Sequence, residues 1–382
     1  MNNKSFRTIE RDVIPSQKNK AIQYRNIQKM KFTISVSPSL NRANLKILTS
    51  EAILNRLRKN SDRINEINFT CHIPPFMQDA HGVYLSDAEN EIHLGEMIEI
   101  QEKTGILVSP VFNNIYTANT YRNLELFIDN FKRLYDLGIR SVSIPHIIWL
   151  KMGLLRKTFP ELKIKNTVLR RVRSGQEFWN HAEAGYDYIN LDRVIVRDHR
   201  ALQEILSAQK QFEEKTGKHV LTSILTGEGC LGSCPLWEEH YQHTLTHPDI
   251  NENLEKNLEI FRYPQNFSCL AFTDSSILPL ISVGLPCFRE DLNDICKYFD
   301  IIKLGGRRAF QGISDNLSLI EAFFSSEDEF VFDPPEIIEY LSKNSRKYGE
   351  LLLRWRKKVK NCRFQCWNCN ECSNLIAHYV SD

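Results

Sequence analysis

Short β-branched runs alternate with amphipathic stretches along most of this chain, a rhythm that restricts it to repeated strand–helix units around a parallel sheet. The runs are Lys31–Val36, Ile64–Cys71, Ile106–Phe112, Ile139–Ile144, Leu162–Val168, Tyr186–Leu191, His219–Thr226 and Asp300–Leu304. Their number and spacing predict an α/β fold of the (βα)8 barrel type. Amphipathic patterns fill the gaps. Asn123 to Gly138 and His199 to Gly217 each carry an apolar stripe and close on a glycine, the residue that accepts the left-handed turn past a helix end. This reading divides the chain into an N-terminal extension at 1–30, a barrel at 31–332 and a helical, cysteine-rich C-terminal tail at 333–382.

A chain of 382 residues with ten cysteines can bury a large core without disulfide staples, so the thiols read as reduced and the protein as cytoplasmic. The first twenty residues are charged throughout and hold no apolar leader, and no later run approaches the roughly 20 apolar residues of a membrane helix. No membrane partner is expected. With 49 basic against 47 acidic residues the net charge is +2, which does not demand a polyanionic partner. The basic clusters at Arg170, Arg171 and Arg173 and from Arg346 to Lys360 read as solvated helix faces.

Barrel chemistry gathers at the C-terminal ends of the strands, where the βα loops vary freely. That rule collects Cys71, His72, Asn113, Asn114, His146, Asn166, Asp192, Arg193, Glu228, Cys230, Cys234, Gly305, Gly306 and Arg307. Gly227, Gly229 and Gly232 make the loop carrying Cys230 and Cys234 permissive, so its N–H groups can approach cluster sulfurs or a substrate oxyanion. His240, His243 and His247 share one helix face beside that loop without forming an HExxH pair, leaving His240 as an acid or base candidate. Asp192 and Arg193 could orient a carboxylate substrate, or could belong to an ion-pair network that holds the mouth together. Gly305, Gly306 and Arg307 follow the last strand, where backbone N–H groups and a cation can bind a phosphate or carboxylate of a substrate or cofactor. The catalytic candidates are therefore His240, Asp192, Arg193 and Glu228.

Cys362, Cys366, Cys369 and Cys372 form a C-x3-C-x2-C-x2-C series in the tail. Structural zinc favours pairs of cysteines separated by a longer loop, whereas closely run thiols with two-residue spacers suit iron–sulfur ligation. The tail could build its own centre, or share one with Cys230 and Cys234, in which case it folds back over the barrel mouth. Cys362, Cys366 and Cys369 also spell the triplet of radical S-adenosylmethionine enzymes, but lie beyond the last strand rather than after the first. Cys269, Cys287 and Cys296 sit in apolar contexts and read as buried hydrophobes.

The segments LYDLGIRSVSIP, YDYINLDRVIVRDHRALQEI, LTGEGCLGSCPLWEEH and DIIKLGGR together resemble peptidase family U-32, the collagenase-like peptidases, over about Phe32 to Arg308. The resemblance implies a TIM-type barrel and an iron–sulfur cluster, of the 4Fe–4S kind, with Cys230 and Cys234 among its ligands. It also implies oxygen-independent hydroxylation of RNA bases or of a quinone precursor, served by an electron donor. The four-cysteine tail departs from the better-known members. The expectation is an iron–sulfur oxidoreductase or hydroxylase acting on a small-molecule or RNA substrate. A zinc-stabilised binding or RNA-processing module is the alternative, and a radical S-adenosylmethionine enzyme a further one. Peptidase activity is not expected, since neither a Gly-x-Ser-x-Gly elbow nor a zinc-protease motif is present.

Overall fold

A computed structural model describes residues 27–36, 48–77, 85–226, 234, 237–239, 241, 285–305, 309–325, 328–332, 334 and 336–380. Eight strands pair in the order β3-β2-β1-β8-β7-β6-β5-β4. They are β1 (Lys31–Val36), β2 (Ile64–Phe69), β3 (Val108–Pro110), β4 (Ser141–Ser143), β5 (Lys163–Lys165), β6 (Tyr188–Asn190), β7 (Leu221–Thr226) and β8 (Ile301–Leu304). Every strand pair is parallel. A parallel bridge between Val111 and Ser143, with the Phe112 amide donating to the Ser143 carbonyl at 3.1 Å, joins the two edges and closes a (βα)8 barrel. Each expected run contains one strand; β1 fills its run, and the others are shorter, most of all β3 to β6, because ladder pairing there spans only three residues.

Alternate residues of β1 explain the two layers. Phe32 meets Phe323 edge-on at 5.1 Å on the helix Ala309–Ser325, while Thr33 faces the lumen near the Tyr188 hydroxyl at 3.5 Å. The helices start and stop where the sequence supplies caps. Ser86 and Ser174 form capping boxes with Glu89 and Glu177, and Gly217, at φ +70°, ends the helix His199–Thr216. One continuous apolar core runs between sheet and helices.

The lumen is polar, which periodicity alone could not show. Branched aliphatics usually fill a barrel of this size. Here Lys165 of β5 crosses to Glu66 and Asn68 of β2, and Ser141 donates to the second Glu66 oxygen at 2.6 Å. Lys165 is 1% exposed and Glu66 2%. A lone buried charge is prohibitive, so each exists only because the other does. Burial holds the Lys165 ammonium below its ordinary pKa, with the Glu66 carboxylate opposing that shift.

The basic clusters are not simply solvated. Arg171 and Arg173 both turn onto Asp192, and Arg356 and Lys360 grip Asp291 and Asp294. Their exposed-looking pattern conceals partners that lie far away in sequence.

Candidate metal centre and barrel mouth

The C-terminal helices build a second, smaller core. Ile337, Ile338 and Leu341 of the helix Glu336–Lys343 pack with Tyr348, Leu352 and Trp355 of the helix Ser345–Val359 and with Leu375 of the helix Glu371–Val380. Charge then docks this unit on the barrel. The cationic end of Ser345–Val359 meets the acidic first turn of the helix Arg289–Cys296. Arg356 Nε donates to Asp291 at 2.6 Å and lies over the Phe288 ring at 4.3 Å, and Lys360 contacts Asp294 at 3.0 Å. Cations at a helix C-terminus facing anions at a helix N-terminus also satisfy both helix dipoles.

That docking delivers the cysteine series to the loop after β6. This loop is a 3₁₀ turn, Arg193–Arg197, which leads directly into the helix His199–Thr216. Asp198 serves both sides. One of its oxygens caps the helix by accepting from the Ala201 amide at 3.1 Å, and its carboxylate pairs with Arg363 of the tail at 2.7 Å. The His199 amide donates to the Lys360 carbonyl at 3.3 Å, and the Arg363 amide to the Arg197 carbonyl at 3.3 Å.

Among the described residues, three N–H groups point at tail sulfurs. Arg197 Nη1 lies 3.9 Å from Cys362 Sγ, the Phe364 amide 3.5 Å from the same sulfur, and Trp355 Nε1 3.4 Å from Cys372 Sγ. The Phe364 contact has a backbone cause. Arg363 and Phe364 adopt φ of +49° and +55°, consecutive left-handed residues that are not glycine. Such residues cost energy on their own and persist where the surroundings enforce them. Here they fold the chain back over Cys362, and the Phe364 ring, 7% exposed, lies under the Arg197 guanidinium at 4.9 Å.

The four thiols act on one another. Burial raises the pKa of Cys366, the charges of Cys362 and Cys369 add to that, and Arg197 opposes it. Burial likewise raises Cys372, while Trp355 and Arg197 lower it and Cys366 and Cys362 raise it. Among the described residues, no three His, Cys, Asp or Glu side chains already stand in a metal-binding arrangement. The tail therefore holds its thiols as neighbours, with Cys366 exposed and Cys362, Cys369 and Cys372 half-buried.

At the mouth, Asp192 is 4% exposed and fully engaged. It caps the 3₁₀ turn by accepting from the Val194 amide at 3.1 Å, and its other oxygen takes Arg173 at 2.6 Å and Arg171 at 3.3 Å. Arg193 does not pair with it. It donates to the Tyr241 hydroxyl at 2.9 Å, and Arg171 lies over the Trp237 ring at 4.6 Å. Both rings belong to the segment after Cys234, whose carbonyl accepts from the Trp237 amide at 3.4 Å. Cys234 is half-buried. His146, at the end of β4, contacts Arg170 at 3.3 Å and Trp149 at 4.6 Å, and burial followed by the Arg170 charge lowers its pKa to about 4. Gly305 is exposed, its amide donating to the Thr226 carbonyl at 3.2 Å. Cys230, Glu228, His240, Gly306 and Arg307 lie outside the described residues. So do His243 and His247.

Cys71 ends the second strand run but is 2% exposed, and burial pushes its thiol up to about 12, which leaves it a poor nucleophile near neutral pH. Trp355 was not among the residues singled out in the sequence, and Arg197 stood out there only with Asp192, Arg193 and Asp198 as a charged strand end, not as a partner of the tail sulfurs that both residues touch. The signal for Arg197 was its place at the end of the sixth βα loop; nothing local marks Trp355.

No protein-family model matches the chain, and no curated protein matches it. Among solved structures, a U32 peptidase is similar at 12% identity, covering 73% of this chain and 95% of its own, with a TM-score of 0.43. A deoxyribose phosphate aldolase from Aeropyrum pernix is similar at 10% identity, 78% and 91% coverage and a TM-score of 0.37. A mandelate racemase/muconate lactonizing enzyme from a marine actinobacterium is similar at 13% identity, 58% and 54% coverage and a TM-score of 0.35.

Proposed function

We propose that this protein is an iron–sulfur oxidoreductase, of the oxygen-independent hydroxylase type, whose cluster is carried by the C-terminal tail beside the barrel mouth. The observation that carries this reading is the set of N–H groups aimed at Cys362 and Cys372. Hydrogen bonds to thiolate sulfur are a means by which proteins stabilise and tune iron–sulfur centres, and closely spaced thiolates are a donor set for soft metals. Cys362, Cys366, Cys369 and Cys372 would be the ligands. When bound, the cluster supplies one-electron transfer.

The chain's own residues do the rest. The 3₁₀ turn Arg193–Arg197 sits at the C-terminal face of the barrel, so a centre held against Arg197 stands at the edge of the face where barrel chemistry occurs. Arg193, 3% exposed, is tied to the Tyr241 hydroxyl, Arg171 covers the Trp237 ring, and the two rings lie 5.2 Å apart, so these residues form a fixed wall of the mouth. Arg171 and Arg173 hold Asp192 in place, so Asp192 positions the turn and is not itself free to act as a base.

The test is anaerobic purification with an absorption spectrum and iron, sulfide and zinc analysis, for the wild type and for Cys369→Ala and Cys230→Ala. A brown protein that loses its centre in Cys369→Ala and keeps it in Cys230→Ala is expected. Loss in both variants would mean a centre shared between loop and tail. A colourless zinc protein would overturn the redox reading.

A further inference from the structure

Arg197 is a barrel residue, yet its guanidinium leaves the barrel. It is 9% exposed, stacks over Phe364 at 4.9 Å and reaches Cys362 Sγ at 3.9 Å, while its carbonyl accepts from the Arg363 amide at 3.3 Å. Backbone and side chain of one residue thus hold both left-handed positions of the cysteine turn. We propose that Arg197 is the positioning residue of the tail centre, fixing the Arg363–Phe364 turn so that the Cys362 sulfur faces the other three thiols, and offsetting the negative charge that four thiolates bring together. This rests on the tail being a metal centre, but the docking role of Arg197 holds in the metal-free chain as well. A planar guanidinium suits both tasks, since it stacks on an aromatic ring while donating in its own plane.

The experiment compares wild type, Arg197→Met and Arg197→Lys in three measurements. These are metal retention against a chelator under anaerobic conditions, the reduction potential of the loaded centre, and amide hydrogen exchange at residues 363–369 of the metal-free protein. In Arg197→Met, retention is expected to fall about 10- to 100-fold, the range typical when a residue supporting metal ligands is lost. The potential is expected to move to more negative values, because the reduced centre loses a nearby cation. The Arg363 and Phe364 amides are expected to exchange faster than in wild type. Arg197→Lys, which keeps the charge but loses the stacked plane, is expected to recover part of the potential and little of the protection. Wild-type retention and wild-type exchange in Arg197→Met would overturn the proposal. If the wild type binds no metal, the iron–sulfur reading fails by itself and the exchange comparison alone decides the role of Arg197. If Arg197→Met does not fold, Arg197→Lys carries the test, and wild-type behaviour there overturns the role of the guanidinium.

Discussion

Arg193 and Arg197 occupy the two ends of a single 3₁₀ turn, one donating to the Tyr241 hydroxyl at 2.9 Å and the other directed at Cys362 Sγ at 3.9 Å. At about 2 Å of rise per residue, their backbones are about 8 Å apart along the turn. The segment following Cys234 and the cysteine tail, which are distant in sequence, are thereby tied to one short rigid element. What stabilises that element stabilises both attachments.

Asp192 is the cap of the turn, so Asp192→Ala is expected to cost about 1–2 kcal/mol in urea unfolding, the scale of a lost N-cap. It also frees Arg171, whose guanidinium covers Trp237. Trp237 is expected to become more accessible to an aqueous quencher. Asp192→Asn keeps an oxygen for the Val194 amide and should fall between the two proteins. Equal stability of wild type and Asp192→Ala would show that the turn does not depend on its cap.

The buried pair in the lumen gives a double-mutant test. Lys165→Met leaves the Glu66 carboxylate buried with only Ser141 to satisfy it, and Glu66→Gln leaves the ammonium without its counter-charge. Each single change is expected to cost about 3–5 kcal/mol, and Glu66→Gln combined with Lys165→Met distinctly less than the two together. Chemical denaturation of the four proteins measures it. Additive losses would mean that the two charges do not depend on each other.

The barrel was legible because its information is local. Each strand run is a few β-branched residues, and each helix ends on a cap or glycine within the same stretch, as Ser86, Ser174 and Gly217 illustrate. The short spacing of the four tail cysteines was legible in the same local way. The partners were not. Asp192 reads as a catalytic candidate until Arg171 and Arg173 are brought onto it, and Lys165 reads as an ordinary strand lysine until Glu66 appears opposite, 99 positions away. Arg197 looks like part of a charged loop until the chain returns 165 residues later with Cys362. Such pairings come from barrel closure and tail docking, which no local pattern encodes.

His146 gives stability a pH dependence. Its pKa in the folded protein is lowered from 6.5 to about 4, first by burial and then by Arg170. Between those values the unfolded chain binds a proton that the folded chain refuses, so stability rises with pH across that window and is lost as pH falls through it. The full effect is about 3 kcal/mol. His146→Phe, whose ring can pack on Phe76 and Trp149, is expected to flatten the stability profile between about pH 4 and 6.5. A slope should persist, because burial also lowers the pKa of His181 and of His199. An unchanged profile in His146→Phe would show that the imidazole titrates normally.

The cysteines should separate by chemistry as sharply as they do by position. Cys71 and Cys296 are 2% and 0% exposed, and burial pushes the first up to about 12 and the second higher still. Cys287 is pushed up to about 11 by burial, against backbone hydrogen bonds that lower it. Only the thiolate attacks an alkylating agent, so each of these is nearly inert at pH 7.5 even where a reagent could reach it. Cys366 is also raised, by burial and by the charges of Cys362 and Cys369, but it is exposed on its turn next to Trp367, which is 83% exposed, so access decides in its favour. Brief iodoacetamide treatment of the native metal-free protein, followed by peptide mass analysis, is expected to label Cys366 first and to leave Cys71 and Cys296 unmodified until denaturant is added. After loading with iron and sulfide, the labelling of Cys366 is expected to disappear while the buried thiols stay silent. Persistent labelling of Cys366 in the loaded protein would remove it from the ligand set, and early labelling of Cys71 would mean that the end of the second strand opens in solution.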